Sequence, residues 1–480
     1  MQPSSDITGD AWHLADTALD SARRHAATYA DIRINRYRTN FVATREERVL
    51  QISDNESYGF GVRVIIDGAW GFASSAHVSL DEVERVVLDA VTVARAAAIL
   101  RSEPVNLAPT PTHIDFWRTP MEIDPFTVAV EEKVELLLAI NREALRAPGA
   151  RFCNSHLFSA SEHKIFVSTE GSRIEQEICR VWPSFDVTAV SSDGTDFQSR
   201  SGLCMPSGQG YEYCNQYPLL DDARKAGEDA VEKLKSPAID EGRRDLILMP
   251  SHMWLVLHES IGHATELDRA LGFEANFAGT SFVTVDQLGK LQYGSEHVTV
   301  VGDRVETNGL ATVGYDDEGV KTGTFDIIRD GRFVGYQTTR EQAGWIGDSE
   351  SHACSYADSY GHVPMQRMPN VSLMPGSKPT SLDDLIGGID RGVLIEGAGS
   401  WSIDQQRHNF QFGGQIFREI RNGRITNMLR DVAFQSTTVE FWNSCDAVCS
   451  QDLYELGGSY FCGKAQPEQV APVSHGSAPT

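Results

Sequence analysis

At 480 residues the chain is longer than one compact core accommodates, so two or more domains are expected. It is 41% hydrophobic and 23% charged, ordinary for a globular protein, with a formal net charge of −25. That charge repels phosphate backbones and no basic stripe offsets it locally, which argues against nucleic acid or an anionic membrane as partner.

Residues 11–29, rich in alanine and charge, read as a helix. Ala30, Ile32 and Ile34 then alternate with polar residues, a strand signature, and further strands are expected near 41–52 and 58–66. Asp67-Gly68 marks a hairpin turn between Val62–Ile66 and Ala69–Ala73. A helix over about 80–100 places Val83, Val86, Val87, Ala90, Val91 and Ala94 on one stripe. Pro104, Pro109, Pro111 and Pro120 predict a connection without regular structure over 102–120. Helix returns over about 126–146, strands joined at Glu170-Gly171 and Asp193-Gly194 follow, and another helix spans about 220–235. A domain boundary is expected near here, giving an N-terminal α/β domain over 1–238 and a strand-rich domain over 239–480. Asp245–Pro250 reads as a short buried strand and Ser251 as the cap of the next helix. Asp330-Gly331 and Asn422-Gly423 mark two more hairpins, and an amphipathic helix begins near Ser381. Helices and antiparallel hairpins without repeated strand–helix–strand alternation indicate an α+β fold. No glycine-rich phosphate loop leads a strand into a helix, so nucleotide binding has no support.

No stretch approaches the roughly 18 apolar residues of a membrane span. The opening Met1–Asp6 lacks a basic region followed by an apolar run, and a cytoplasmic location is expected. Eight cysteines are too sparse for a disulfide scaffold; free thiols, one or more of them open to a metal, fit better.

The most informative segment is Leu257-His258-Glu259-Ser260-Ile261-Gly262-His263. Two histidines with a glutamate directly after the first are the wiring of a hydrolytic zinc site: imidazoles hold the ion and the carboxylate takes a proton from its water. The usual spacing of four puts both imidazoles on one helix face. Here it is five, which separates them by roughly 140° on a regular α-helix. The segment therefore binds no metal, as an amphipathic helix with two polar-face histidines, or it has a widened turn. A π-type bulge shrinks the angle to about 50°, and Gly262 is the residue that could permit it.

A catalytic zinc needs three protein ligands and an open position. Glu266 lies one turn beyond His263, placed to reach the ion or to hydrogen-bond a ligand imidazole, and Asp268 follows; the alternative is a solvated acidic face. Cys445 and Cys449 have helix-turn spacing but suit two small buried residues as well as two thiolates. Cys462 sits in the glycine-bracketed Gly457–Lys464 segment, where Lys464 would favour the thiolate.

The His258-Glu259-x-x-x-His263 motif and Phe461-Cys462-Gly463-Lys464 resemble the TldD/PmbA family of metallopeptidases, on its catalytic TldD-like side. Gly279-Thr280-Ser281, Gly314–Gly319 with its Asp-Asp-Glu-Gly turn, Ser355-Tyr356-Ala357 and Pro364–Asn370 are similar to further blocks of that family; Tyr29–Asp31 and Gly59–Arg63 are similar more loosely. The resemblance implies that His258, His263 and Cys462 bind zinc and that Glu259 is the catalytic acid/base. It also implies a two-domain α+β architecture with the metal in an internal cavity. The assembly implied is a homodimer or a heterodimer with a TldE/PmbA-like paralogue. Relatives cut small or unfolded peptides, held by strand addition, or trim peptide-derived natural products and related amides. The competing reading is a non-catalytic regulatory subunit of such a heterodimer, but inactive partners lose the histidine pair that this chain keeps. Two features depart from the pattern: Cys445 and Cys449 are not part of it, and a further short strand is expected where the tail Val473–Thr480 ends. His297, His352, Tyr356 and His362 are candidate oxyanion donors, although the ordinary polar residue is the stronger reading of each.

Overall fold

One seven-stranded sheet organises the first half of the chain. In the computed structural model, which describes residues 5–480, its strands are β1 (Tyr29–Arg45), β2 (Arg48–Ile66), β3 (Ala69–Ser75), β4 (Ile114–Arg118), β5 (Ala150–Ser168), β6 (Arg173–Val190) and β7 (Phe197–Ser201). Their order is β3-β2-β1-β5-β6-β4, with β7 also on β6; β4 runs parallel to β6 and the other pairs are antiparallel. The hairpins at Asp67-Gly68 and Glu170-Gly171 are present.

Local details differ from the sequence reading. The first helix is Ser5–Arg24, because Ala26 adopts a left-handed φ of 64° and turns the chain into β1. The expected strand over 41–52 contains a reversal: Glu46, with φ 48°, turns β1 into β2 without the usual glycine. The helix expected over 126–146 is Val130–Ala144, since the Asp124 carboxylate accepts the Phe126 amide at 2.9 Å and a turn occupies 124–127. The proline-rich connection holds one short strand, β4.

The sheet's two faces have different fates. One carries Ile32, Ile34, Val62, Val64, Ile165 and Val167 beneath the helices Ser5–Arg24 and Leu80–Leu100. The six small residues striped along Leu80–Leu100 are all buried there. Farther along, Val42, Leu157, Val181 and Val187 pack under Val130–Ala144 and Leu219–Lys235. The other face carries Asp31, Arg33, Asn35, Glu162, Lys164 and Arg180, and they are buried as well. The second half of the chain covers them. Arg63 pairs with Asp31 at 2.6 Å and with Glu318 at 3.3 Å, and Lys164 reaches Asp317 at 3.1 Å. The Asp-Asp-Glu-Gly turn is thus the dock between the two halves. Alternation along β1 therefore reports two kinds of buried face, not a buried and a wet one.

The second half is built on Arg391–Ile403, Asn409–Arg421 and Arg424–Leu429, with Ala433–Thr437 beside them. Asp245–Leu248 joins this sheet in parallel with Arg391–Ile403. From it the chain enters the helix Pro250–Leu257. Pro250 occupies the first helical turn, so Met249 is the cap; Ser251 instead accepts the Gly397 amide at 3.0 Å. The large core around Val256, Leu257, Ile261 and Trp442 fixes this helix. A final hairpin, Glu455–Lys464 with Gln469–Ser477, lies beside it. No helix among the described residues is long and apolar enough to cross a membrane.

Candidate metal centre

The helix Pro250–Leu257 does not continue regularly. Residues His258–Gly262 form one π turn, in which the His263 amide bonds the carbonyl of His258, five residues back. The widened turn required by the five-residue spacing is therefore present. A bulge leaves carbonyls without helical partners, and side chains take them up. Tyr293 OH donates to Ser260 O, Gln337 Nε2 to Gly262 O at 2.6 Å, and Thr265 Oγ1 to Ile261 O at 2.8 Å. Gly262 has an ordinary right-handed backbone, φ −51° and ψ −60°, so conformational freedom is not why it is glycine. A Cβ there would lie 2.5 Å from Met368 Sδ, so a larger residue would have to displace the end of the Met368 side chain.

The bulge turns the two imidazoles toward each other, with ring centroids 4.5 Å apart. Cys462, from the last hairpin, joins them: one ligand atom each from His258, His263 and Cys462 lie within 4.8 Å of one another, and all three residues are buried. Cys462 Sγ is 3.7 Å from His263 Nε2. Bonds of about 2.0–2.3 Å in a tetrahedron separate ligand atoms by roughly 3.3–3.8 Å; the 3.7 Å between Cys462 Sγ and His263 Nε2 lies in that range, and two nitrogens and one sulfur are a donor set that suits zinc.

The partners behind the imidazoles set their tautomers. His475 Nδ1 donates to Val371 O at 2.8 Å, so its Nε2 is the acceptor for His258 Nδ1–H at 2.9 Å. Burial, followed by the neighbouring His258, holds His475 well below the usual histidine range, hence neutral. Nε2 of His258 is left with a free lone pair. His263 Nδ1 donates to Glu266 Oε2 at 2.9 Å, which leaves its Nε2 toward Cys462. Burial also lowers the pKa of both His258 and His263, favouring the neutral form a metal requires. Burial alone would raise Cys462, but His263 and then Arg367 outweigh it and lower the thiol.

Glu266 thus supports His263 and is not one of the three clustered groups. Burial opposes its ionisation, yet Lys464, His263 and Arg269 hold it well below the usual carboxylate range. Lys464 Nζ reaches Glu266 at 3.2 Å and Asp268 at 2.9 Å. Lys464 is thus engaged by carboxylates and not by the thiolate, contrary to expectation; Arg367, whose Nη2 donates to the Cys462 carbonyl, is the cation that helps to lower the thiol. Glu259 is buried beside the imidazoles and accepts Arg407 Nη1 at 2.7 Å.

The other candidates lie elsewhere. His352 bonds Tyr336 O at 2.7 Å, Tyr356 bonds Glu162 at 3.0 Å, His362 pairs with Asp358 at 2.6 Å, and His297 is exposed. Cys445 and Cys449 pack with the core, and burial raises both thiols, to about 12 and about 11. A second histidine–carboxylate group, His163 with Glu175 and Glu177, lies half-buried on the first sheet, where the 2.8 Å pair between His163 and Glu175 accounts for it. The sequence assigns no role to His475, Arg367 or Arg407. His475 stands alone among small residues in the strand Gln469–Ser477, with nothing local to flag it.

Three regions of the chain match family models: PmbA/TldA metallopeptidase domain 1 over 30–94, the central domain over 123–236 and the C-terminal domain over 241–471. A metalloprotease of Methanocaldococcus jannaschii is 29% identical over 452 residues, 93% of this chain and 94% of that one. A protein of Saccharolobus solfataricus named zinc metalloprotease TldD homolog is 24% identical over 465 residues, 95% and 96% of the two chains. Among solved structures, a Thermotoga maritima protein titled as a candidate modulator of a DNA gyrase superposes with TM-score 0.75 at 16% identity, over 98% of this chain and all of that one. TldE from Thermococcus kodakarensis does so with TM-score 0.71 at 17% identity, over 97% and 99%. At those identities the two structures share the fold with this chain.

Proposed function

The chain belongs to the PmbA/TldD metallopeptidase family, and we propose that it is a zinc-dependent peptidase. Its substrates in this reading are small or unfolded peptides, or peptide-derived natural products with related amide bonds. The observation that carries the proposal is the convergence of His258, His263 and Cys462 into one buried cluster, with the buried Glu259 next to His258 in the chain.

Zinc held by those three residues would polarise the scissile carbonyl and acidify the attacking water. The chain's own residues do the rest. Glu259 takes a proton from the water as its oxygen bonds to the carbonyl carbon, then gives that proton to the leaving nitrogen as the C–N bond breaks. Arg407 anchors one oxygen of Glu259. Glu266 and His475 keep a proton on each Nδ1 and so keep each Nε2 lone pair available.

The proposed setting is cytoplasmic, as a homodimer or paired with a TldE/PmbA-like paralogue, and the division at 238/239 is proposed as the main domain boundary. A non-catalytic regulatory role is the competing reading. Retention of both histidines and of the carboxylate between them favours catalysis. The test is elemental analysis with a mixed short-peptide screen. About one zinc per chain is expected, lost in His263→Ala and in Cys462→Ala. Glu259→Gln should keep the zinc and lose hydrolysis; wild-type rates in that variant would remove the catalytic assignment.

A further inference from the structure

Arg407 stands at the tip of the hairpin between Arg391–Ile403 and Asn409–Arg421, with a left-handed backbone, φ 64°. Glycine or asparagine adopts that conformation at lower cost, so the turn itself does not call for arginine. Asp404, three residues earlier, builds the tip. Its Oδ1 accepts the amides of Gln406 and His408 at 3.0 and 2.9 Å. Its Oδ2 accepts the amide of Asn409 at 3.0 Å and Asn409 Nδ2 at 2.6 Å. The Arg407 amide closes the turn on Asp404 O at 3.0 Å.

The tip is also tied from outside. Thr438 Oγ1 donates to Arg407 O at 2.6 Å. Thr280 and Phe282 donate their amides to the carbonyls of Gln405 and Gln406, each at 2.8 Å. Gly279, itself at φ 90°, lets the two segments meet, since a Cβ there would lie 2.3 Å from Gln405 O. Ser281 Oγ ties the same segment to Ala264 O at 2.6 Å, directly after His263. The tip is thus referenced to the metal helix.

From this tip one guanidinium reaches Glu259. The Arg407 side chain is 11% exposed; Nη1 donates to Glu259 Oε2 at 2.7 Å and Nη2 to Ala278 O at 3.3 Å. The bond to Glu259 uses Oε2 alone. Asp404, in contrast, spends its carboxylate within its own turn, on residues 406–409. Any influence it has on Glu259 must pass through Arg407.

We propose that Asp404 and Arg407 are positioning residues for the Glu259 carboxylate, an assignment that rests on the peptidase reading. Asp404 shapes the tip, the tip aims the guanidinium, and the guanidinium holds Oε2. Oε1 stays free to take a proton from the attacking water and to pass it to the leaving nitrogen. Arg407 keeps its own protons throughout.

The test is a double-mutant cycle in the zinc-loaded full chain, with Arg407→Met, Asp404→Ala and the pair combined. Methionine keeps length without charge. Arg407→Met should lose about 10²-fold in kcat, because misplacing a reacting group by about 1 Å costs that much, with KM within about threefold. Asp404→Ala should lose about 10–100-fold in kcat and keep KM and zinc. Asp404→Asn, which still offers one oxygen to the amides of Gln406 and His408, should recover most of that loss. The double variant should match Arg407→Met within about twofold, since a tip without a guanidinium has nothing to aim. A crystal structure of metal-free Asp404→Ala should show Arg407 Nη1 beyond hydrogen-bond reach of Glu259, about 3.5 Å.

Losses that multiply in the double variant, an Arg407–Glu259 bond intact in Asp404→Ala, or Arg407→Met within threefold of wild type each overturn the proposal. So does loss of zinc from Arg407→Met, which would make the residue a support of the metal. If Asp404→Ala does not fold, Thr438→Val takes its place, removing the hydroxyl bond to Arg407 O. A kcat loss that vanishes in the Arg407→Met background then supports the proposal, and any other pattern overturns it. A wild type that hydrolyses nothing sinks the peptidase reading and this assignment together; an active wild type with multiplying losses sinks only the latter.

Discussion

His475→Phe keeps a planar ring in a fully buried slot and removes the acceptor behind His258. His258 Nδ1–H then has two options. It remains a buried orphan donor, which costs about 1–3 kcal/mol. Alternatively the proton moves to Nε2, the atom that faces Cys462 and His263, and must be expelled before a metal binds. The metal-free protein escapes through the second option and loses chiefly the His475–Val371 bond, about 1 kcal/mol. The loaded protein has no escape, so the cost falls on metal affinity. Removing a partner behind a ligand imidazole typically weakens binding about 10–100-fold, or ~1.4–2.8 kcal/mol, which matches the orphan-donor range. A competition titration with a chromophoric zinc chelator at neutral pH reads this directly, with urea unfolding of metal-free protein as control. His475→Gln, which offers a carbonyl to Nδ1–H, should recover part of the loss. Zinc affinity within twofold of wild type in His475→Phe would show that His475 does not set the tautomer of His258.

Two further changes probe the frame around the site. Gly262→Ala should destabilise the chain by about 1–3 kcal/mol through its contact with Met368 Sδ, and Met368→Ala should relieve most of that in the double variant. Strictly additive denaturation midpoints would show that Met368 is not the obstacle. Burial, then Glu318, pushes Asp316 up to about 7. The folded chain therefore holds a proton that the unfolded chain has released above its own pKa of about 3.9, and unfolding free energy from this group falls as pH rises between those values. Asp316→Asn should flatten that part of the profile in urea melts at pH 5, 6 and 7.5; profiles parallel to wild type would count against a raised Asp316.

What could be read in the sequence is what the backbone decides locally. The stripe along Leu80–Leu100 follows from its period, and the turns at Asp67-Gly68, Asp330-Gly331 and Asn422-Gly423 follow from residues that accept positive φ. The widened turn at His258–Gly262 was legible as a conditional: if both imidazoles serve one ion, five-residue spacing demands it. The reversal at Glu46 was not, because glutamate gives no turn signal and tertiary pairing of β1 with β2 imposes the left-handed φ. Nor was the fate of Asp31 and Arg33, whose polar side of β1 reads as wet until the Asp316–Glu318 turn closes over it.

The chemistry of the centre divides along the same line. His258, Glu259 and His263 lie within six residues, so one short segment reveals them, and Glu266, one turn on, holds the Nδ1–H of His263; the other groups that hold these side chains come from far away in the chain. His475 reaches His258 across 217 residues and Arg407 reaches Glu259 across 148. The local sequence around each specifies only backbone: a strand of small residues for His475, and a hairpin tip organised by Asp404 for Arg407. A motif therefore finds the atoms that would touch a metal or a water, while the distant residues that orient them become visible only when hydrogen-bond partners are traced outward.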